Sequence, residues 1–440
     1  MRILIISYWF PPTNAIGALR VGKFAKYLHE SGHDIRVLAG PAIAPLSLSL
    51  QIPPELVTRP PASPVGETAR RHPMQRAIKR GLAATVRAIG IGAPVTRHYR
   101  AAVTIPDKQI GWRHRALLDG HIILANWRPD LIVASAPPYT GLLVADELSR
   151  ECGAPWVADI RDPWADNPYS SDPDWRTWID RRMERRTLAR AAALVSVSPV
   201  DAANLQTRFH QPVTTILNGF SPEDTPPPQA CCPHDKLRIL HTGTIYVGHR
   251  DPSPLFAAIR MLPPDQRDQI EVMFRGAEAA AANELAAKLH VGPQVVVAPP
   301  VEYAESLRLQ GCADVLLLLQ RSHITDVGNI PAKFFEYIAA RRPILLIGCD
   351  TGVLADMIRA RDAGVVSTDP ATIAEALRGW LGTLPEGPPL LPQSVQRGLR
   401  REEQFADYVR FLADLVRAPA PVVGKSSAGS PIRPPSLEVK

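Results

Sequence analysis

The chain has 440 residues, a length that suits two domains better than one hydrophobic core. Hydrophobic residues make up 45% and charged residues 21%, as in an ordinary globular protein, and no run of about 20 apolar residues predicts a membrane-spanning helix. The five cysteines are scattered without a CxxC pair, which argues against a zinc site or a disulfide framework and favours a reducing compartment.

The first elements predict a βαβ unit. MRILIISY is a buried strand without a signal-peptide layout, WFPPTNAIGAL is a loop, RVGKFAKYLHESG is a helix and HDIRVLAG is the next strand. In the loop, Gly17 and Arg20 lie where a helix begins, so backbone N–H groups and the helix dipole could bind an anion there. A plain turn is the alternative. The loop lacks GxGxxG, so a dinucleotide fingerprint is absent.

Net charge is +7, and basic residues are concentrated in the segment 69–100. It has eight Arg and Lys, no Asp or Glu from Arg70 onward, and interleaved apolar residues. This pattern predicts a basic amphipathic helix that lies on an anionic membrane surface. Two alternatives are a solvated helix that packs its apolar side and a nucleic-acid contact, although no nucleic-acid-binding motif accompanies the charge.

The strand PWVADI ends in RDPW, which places Asp159, Arg161 and Asp162 at a strand end. Two carboxylates beside an arginine are costly there unless they bind a ligand or each other. A structural ion-pair cluster is therefore the alternative to a ligand site. The Pro-rich stretch 221–235 predicts a linker that closes a first domain, 1–220.

Strands and helices alternate again over 236–392, which predicts a second α/β domain. Its first loop, HTGTIYVGHR, carries Gly243, Thr244 and Arg250. Flexible backbone and a cation suit a diphosphate, and the alternative is that these residues only shape a turn. An amphipathic helix over 393–417 and a disordered tail over 418–440 complete the chain.

NIPAKFFEYIAARRPILLIG predicts a helix followed by a buried strand. Lys333 and Glu336 are three residues apart and share a face of that helix. A phosphate at the helix start would meet free N–H groups and the lysine, and the carboxylate could accept two vicinal sugar hydroxyls. A surface ion pair is the alternative.

Two short stretches have the form of metal motifs. DPD at 172–174 precedes a helix and suits capping, and HESGH at 29–33 is broken by Gly32, where the helix should end. We therefore expect no metal site.

Several motifs in order resemble glycosyltransferase family 4-like enzymes of the GT-B fold, from a bacterial branch that works on surface polysaccharides. They include YWFPPTNAIGALR, IPDKQIGW, PDLIVASAPPYTG, PWVADIRDPW, VSVSPVDAANLQTRF, ILNGFSPED, LHTGTIYVGHRDPSPL and IPAKFFEYIAARRPILLIG. The resemblance spans roughly residues 1 to 415. It implies two Rossmann-like α/β/α domains that face a central cleft, with the acceptor on the first domain, the nucleotide sugar on the second, and the last helix crossing back to the first.

The resemblance also implies residue roles. Gly17 would approach the donor diphosphate, and Glu336 would hold the ribose. Thr244 stands where the family usually has a phosphate-binding arginine, and Arg250 lies close to the position of the family's lysine. The first glutamate of the family's pair would fall at Gly328, which is not acidic, so Lys333 would compensate through the phosphates.

The implied activity is transfer of a sugar from a nucleotide-diphosphate donor, expected to be a UDP-sugar, with retention at the anomeric carbon. The acceptor would be a glycan or a polyprenyl-linked glycan. Arg250 and Lys333 would stabilise the departing diphosphate, and Asp159, Arg161 and Asp162 would position acceptor or sugar. No cofactor, metal or nucleic acid is expected. We expect a cytoplasmic enzyme bound peripherally to the inner face of the plasma membrane. The alternatives are a GT-B nucleotide-sugar epimerase and an inactive sugar- or lipid-binding protein.

Overall fold

The computed structural model describes residues 1–60, 101–167, 173–224, 235–245, 250–276, 280–321, 323, 326–388 and 390–417. The predicted basic segment 69–100, residues 225–234 of the predicted linker and the predicted tail 418–440 lie outside the described residues.

The first domain is a parallel sheet of seven strands in the order β3-β2-β1-β4-β5-β6-β7. The strands are β1 (Arg2–Ser7), β2 (Asp34–Ala39), β3 (Val57–Thr58), β4 (Leu131–Ala136), β5 (Trp156–Ile160), β6 (Ala193–Ser196) and β7 (Val213–Thr215). The central strands are buried along their whole length, which is why they appear in the sequence as continuous apolar runs.

The second domain is a parallel sheet of six strands in the order β10-β9-β8-β11-β12-β13. They are β8 (Leu237–Thr242), β9 (Ile270–Arg275), β10 (Val295–Ala298), β11 (Val315–Leu319), β12 (Ile344–Ile347) and β13 (Gly364–Val366). The prediction of two α/β domains with parallel sheets is confirmed.

α-Helices connect the successive strands of each sheet, apart from β2 and β3, because parallel pairing needs a long crossover connection. Those of the first domain are α1 (Ile16–Glu30), α2 (Trp112–Asn126), α3 (Thr140–Cys152), α4 (Asp174–Leu188) and α5 (Pro199–Arg208). Those that follow are α6 (Ser253–Arg260), α7 (Pro264–Asp268), α8 (Ala280–Lys288), α9 (Tyr303–Cys312), α10 (Ala332–Ala340), α11 (Val353–Ala360), α12 (Pro370–Leu381) and α13 (Arg401–Arg417).

The last helix packs on the first domain. The ring of Tyr408 stacks on Phe24 of α1 with 4.7 Å between centroids, and Phe405 lies 5.2 Å from the same ring. These aromatic residues belong to the hydrophobic core beneath β1 and β2. The C-terminal helix therefore contributes to the folding of the first domain, although it follows the second in sequence.

Two elements and one boundary differ from the sequence predictions. The short edge strand β3 and the helix α7 were not predicted. The last helix starts at Arg401 because Gly398 adopts a φ of +72° and Phe220 forms backbone hydrogen bonds with Leu399 and Arg401. At the predicted start, residue 393, the chain forms a separate 3₁₀ turn over Gln393–Gln396, and the short pairing with Phe220 delays the α-helix until Arg401.

Candidate active site

The two sheets face a cleft with a volume of about 1120 Å³ at the carboxyl ends of their strands. That volume suits a ligand of nucleotide-sugar size. Residues of both domains line it. The first domain supplies Arg161, Asp162, Glu184, Asp201 and Arg208, and the second supplies Gly243, Thr244, Arg250, Gly328 and Lys333.

Lys333 and Gly243 form the wall nearest to β8. Gly243 follows that strand with a φ of +110°, and its N–H donates to the carbonyl of Arg275 at 2.6 Å. A Cβ atom at position 243 would overlap the ammonium group of Lys333. Burial lowers the pKa of Lys333 to about 8, and Arg250 lowers it further than Glu336 raises it. Positive charge at this wall is therefore not balanced by nearby carboxylates.

The amino terminus of α10 opens on the same wall. Pro331 precedes the helix in extended conformation, and Pro331, Ala332 and Lys333 line the cleft. The first amides of a helix have no carbonyl partner within it, and the helix dipole favours an anion beside them. Backbone donors and the lysine ammonium thus converge on one place.

Arg250 adds a second cation. Its Nη1 donates to the carbonyl oxygen of Thr244 at 3.4 Å, and both residues line the cleft. Its charge also contributes to the lowered pKa of Lys333. Two cations and a helix terminus therefore face one region, which is the arrangement that a diphosphate would neutralise.

Glu336 lies one turn further along α10 and faces an adjoining cavity of about 90 Å³. Gln310 donates to its carboxylate at 2.9 Å, and burial raises the pKa of Glu336. Tyr303 and Arg401 line the same small cavity. The two helix residues singled out by sequence therefore serve adjacent pockets: Lys333 faces the large cleft and Glu336 the small one.

Asp159 and Arg20 bind each other beneath the cleft. Their ion pair measures 3.0 Å, with side chains only 5% and 4% exposed. Ser135 also donates to Asp159 at 3.0 Å, and Arg20 donates to the carbonyl of Leu217 at 3.0 Å. This is the structural ion-pair arrangement that the sequence left open, and it fixes the loop around residue 218 rather than facing the large cleft.

Arg161 packs its guanidinium against Gly17, where a Cβ atom would overlap it. It donates to the carbonyl of Pro137, and its buried Nε has no hydrogen-bond partner among the described residues. Burial lowers the pKa of Arg161, against the opposing effect of Asp162. Gly17 thus allows a cation to approach the start of α1.

Two aromatic residues, Tyr139 and Trp164, fix the backbone at Asp162. The hydroxyl of Tyr139 donates to the carbonyls of Asp162 (3.3 Å) and Pro163 (2.7 Å), and its ring stacks on Trp164 at 4.8 Å. The Asp162 side chain lines the cleft, and desolvation raises the pKa of its carboxyl group against the opposing effect of Arg161.

Sequence reasoning missed Asp201 and His241. Asp201 lies in the first turn of α5, just after β6, and burial together with the charge of Asp162 raises its pKa to about 6. His241 lies in β8 with Nδ1 2.9 Å from the carbonyl oxygen of Leu317, and burial lowers its pKa to about 3. The strand-end rule that selected the other loops could have found Asp201, whereas a histidine inside a strand gives no signal.

Within the described ranges, no group of three or more His, Cys, Asp or Glu side chains could hold a metal ion. In the same part of the chain, every helix is too short or too polar to span a bilayer.

Residues 17–219 match the model of a family described as glycosyl transferase 4-like domain. This range covers most of the first domain, including Gly17, Arg161, Asp162 and Asp201. No curated protein sequence matches the chain.

Solved structures of similar fold cover nearly the whole chain. Sucrose-phosphate synthase from Thermosynechococcus elongatus is 14% identical with a TM-score of 0.61, and the match covers 94% of this chain and 99% of that one. Anabaena HepE, solved with UDP and with UDP-glucose, is 13% identical with a TM-score of 0.59, over 94% of this chain and 100% of that one.

The lipopolysaccharide outer core galactosyltransferase WaaB is 10% identical with a TM-score of 0.53, over 94% of this chain and 99% of that one. At these identities the similarity shows the fold. The two domains and the cleft of this chain are those of the GT-B fold.

Proposed function

We propose that this chain is a GT-B glycosyltransferase that transfers a sugar from a UDP-sugar to a glycan or polyprenyl-linked acceptor. The glycosyl transferase 4-like match over residues 17–219 and the GT-B fold support this proposal. The observation that carries the proposal is the convergence of Lys333, Arg250 and the start of α10 on one region of the cleft.

That convergence suits the chemistry of donor cleavage. Transfer breaks the bond between the anomeric carbon and a β-phosphate oxygen while the acceptor oxygen bonds to the same carbon. Negative charge grows on the diphosphate in the transition state, and fixed cations and helix amides stabilise it most there. With retention, the acceptor proton would pass to the departing phosphate oxygen, so no separate base is needed.

The other wall of the cleft would hold the acceptor or the transferred sugar. Arg161 and Asp162 line it, and the stacked rings of Tyr139 and Trp164 fix the backbone that carries them. The Arg20–Asp159 pair supports this wall from below and contacts substrate indirectly at most. Its proposed role is to hold the loop that carries Asn218, a residue that lines both cavities.

Two structural neighbours support the proposed donor and the proposed role in polysaccharide synthesis. HepE was solved with UDP and UDP-glucose, which supports a uridine donor for this chain. WaaB is named for lipopolysaccharide outer core synthesis, which supports a role in surface polysaccharide assembly. An acceptor of this kind is made at the cytoplasmic face of the plasma membrane, so we propose peripheral association there.

A face of α4 supports membrane association independently of segment 69–100. Trp178 is 65% exposed, and Arg182 and Arg185 are exposed four and seven residues later, hence on the same face. Arginine side chains beside an exposed tryptophan suit the headgroup region of an anionic bilayer.

The experiment is to incubate the protein with UDP-sugars, with and without lipid-linked acceptor, and to analyse every product. Acceptor-dependent release of UDP with a glycosylated product supports the proposal. Interconversion of the free nucleotide sugar would favour the epimerase, and donor binding without turnover would favour the inactive protein, for which Gly328 and Thr244 are the sequence argument.

A further inference from the structure

Asp201 of the first domain reaches the loop of the second domain that leads to α10. A Cβ atom built on Gly328 would lie 3.0 Å from Oδ1 of Asp201. The same point lies 3.2 Å from Val200 and 3.3 Å from the hydroxyl of Ser198. The carboxylate therefore stands beside position 328, although it comes from the opposite side of the cleft.

The surroundings of Asp201 leave polar groups unsatisfied. Ser198 is 1% exposed, and its hydroxyl has no hydrogen-bond partner among the described residues. Arg161, which lines the cleft, also has a buried Nε without a partner in that part of the chain. Buried polar groups normally have hydrogen-bond partners. Because Arg161 lines the cleft, a ligand with hydrogen-bond acceptors could satisfy its Nε.

The charges around Asp201 also favour a ligand-binding role. Burial first, and then the like charge of Asp162, disfavours the ionised form of Asp201 and raises its pKa. A structural carboxylate would usually be paired with a cation, as Asp159 is with Arg20. Asp201 instead faces the cleft, where an incoming ligand can donate hydrogen bonds to it.

We infer that Asp201 binds hydroxyl groups of the transferred sugar. Its carboxylate lies beside the space that a side chain on residue 328 would otherwise fill. The inference rests on the proposed function. Gly328 lies in the loop just before α10, and Asp201, Gly328 and Lys333 all line the large cleft. A sugar attached to a diphosphate at Lys333 would therefore share the cleft with Asp201. Sugar hydroxyls are good donors to a carboxylate, and a missing donor or acceptor is costly in such a site.

The inference separates binding of the sugar from binding of the nucleotide. We would measure affinities for UDP, UDP-glucose, UDP-galactose and UDP-N-acetylglucosamine by calorimetry on the full chain. For Asp201→Asn we expect UDP affinity to stay within about twofold and affinity for the best UDP-sugar to fall about tenfold, the loss of one charge-assisted hydrogen bond. Asp356→Asn is the control, because Asp356 is also a first-turn aspartate but is exposed on α11.

A transplanted carboxylate gives a second test. Asp201→Ala should lose the preference for the UDP-sugar over UDP, and the double variant Asp201→Ala with Gly328→Glu should regain it. Gly328→Glu alone should bind poorly, because the new side chain meets Asp201. Recovery in the double variant would not occur if Asp201 only stabilised the fold.

The failures can be told apart. If the wild type binds none of the four ligands, both the proposed function and this inference are overturned. If the wild type binds UDP-sugars and Asp201→Asn binds them equally well, the inference fails while the proposed function stands. Equal losses for UDP and UDP-sugars in Asp201→Asn would also overturn it, because the residue would then act through structure.

Discussion

The ammonium group of Lys333 rests against Cα of Gly243, in the space that a side chain at that position would fill. This contact places a cation between the end of β8 and the start of α10. It also explains why the loop after β8 needs a glycine there: φ is +110°, and no Cβ fits.

Replacing Gly243 with alanine should displace Lys333 and weaken UDP binding at least tenfold. Backbone strain at a positive φ should in addition cost stability on the order of 1 kcal/mol. Gly153→Ala is a matched control, because Gly153 has a φ of +77° with open space around it. Calorimetry and urea denaturation would measure both effects. Equal UDP affinity in the two variants would contradict a role for the contact.

The lowered pKa of Lys333 predicts a pH dependence of donor binding. With a pKa of about 8, the side chain is a cation below that pH and becomes neutral above it. UDP affinity should therefore fall as pH rises from 7 to 9, and binding near pH 8 should take up protons because the bound diphosphate restores the charge. Lys333→Arg should flatten this profile, since arginine stays charged. A profile unchanged by that substitution would mean that another group titrates.

Asp159, near the end of β5, and Asp162, in the loop that follows, should respond differently to substitution. Asp159→Asn leaves Arg20 buried without its ion-pair partner, so the free energy of unfolding should drop by about 3–5 kcal/mol. Asp162→Asn should leave stability nearly unchanged and lower transferase activity, because its side chain faces the cleft. Denaturant unfolding would measure the stability of both variants, and initial rates would measure their transferase activity. Loss of activity without loss of stability in Asp159→Asn would contradict its structural assignment.

Much of the fold follows from the sequence because parallel strands buried on both faces appear as apolar runs, as in LIVASA and VLLLL. The loops at strand ends followed from the same reasoning, which brought Arg161, Thr244 and Lys333 to one cleft. The meeting of Asp201 with Gly328 did not follow, because it depends on how two domains face each other. The start of the last helix also depended on a tertiary contact, the backbone pairing with Phe220.

Asp201 should stabilise the protein less than a neutral side chain would at neutral pH. Its folded pKa of about 6 lies above the 3.8 that is usual for an aspartate, so stability is highest when it is protonated and falls as pH rises through that interval. Asp201→Asn should therefore raise the free energy of unfolding at pH 7.5 by about 1 kcal/mol and have little effect near pH 3.5. Urea denaturation at both values tests this. A destabilised variant at pH 7.5 would show that Asp201 is a structural carboxylate.

The exposed face of α4 should contribute to membrane binding. Trp178→Ala combined with Arg182→Glu and Arg185→Glu should reduce cosedimentation with vesicles that contain anionic lipid, and raised salt should weaken the wild type similarly. Arg410→Glu is the control, because Arg410 is a highly exposed arginine on α13. If the triple variant cosediments as the wild type does, this face is not a membrane contact.

Lys333 and Glu336 are proposed to form the donor site, so the most direct measurement is a thermal-shift panel with UDP, GDP, ADP and dTDP. It would compare the wild type with Lys333→Met and Glu336→Gln. A nucleotide at 100 times its dissociation constant adds about 2.7 kcal/mol to stability, which is a measurable shift. We expect UDP to stabilise the wild type and both variants to lose the response. Absence of any shift with all four nucleotides would contradict this expectation.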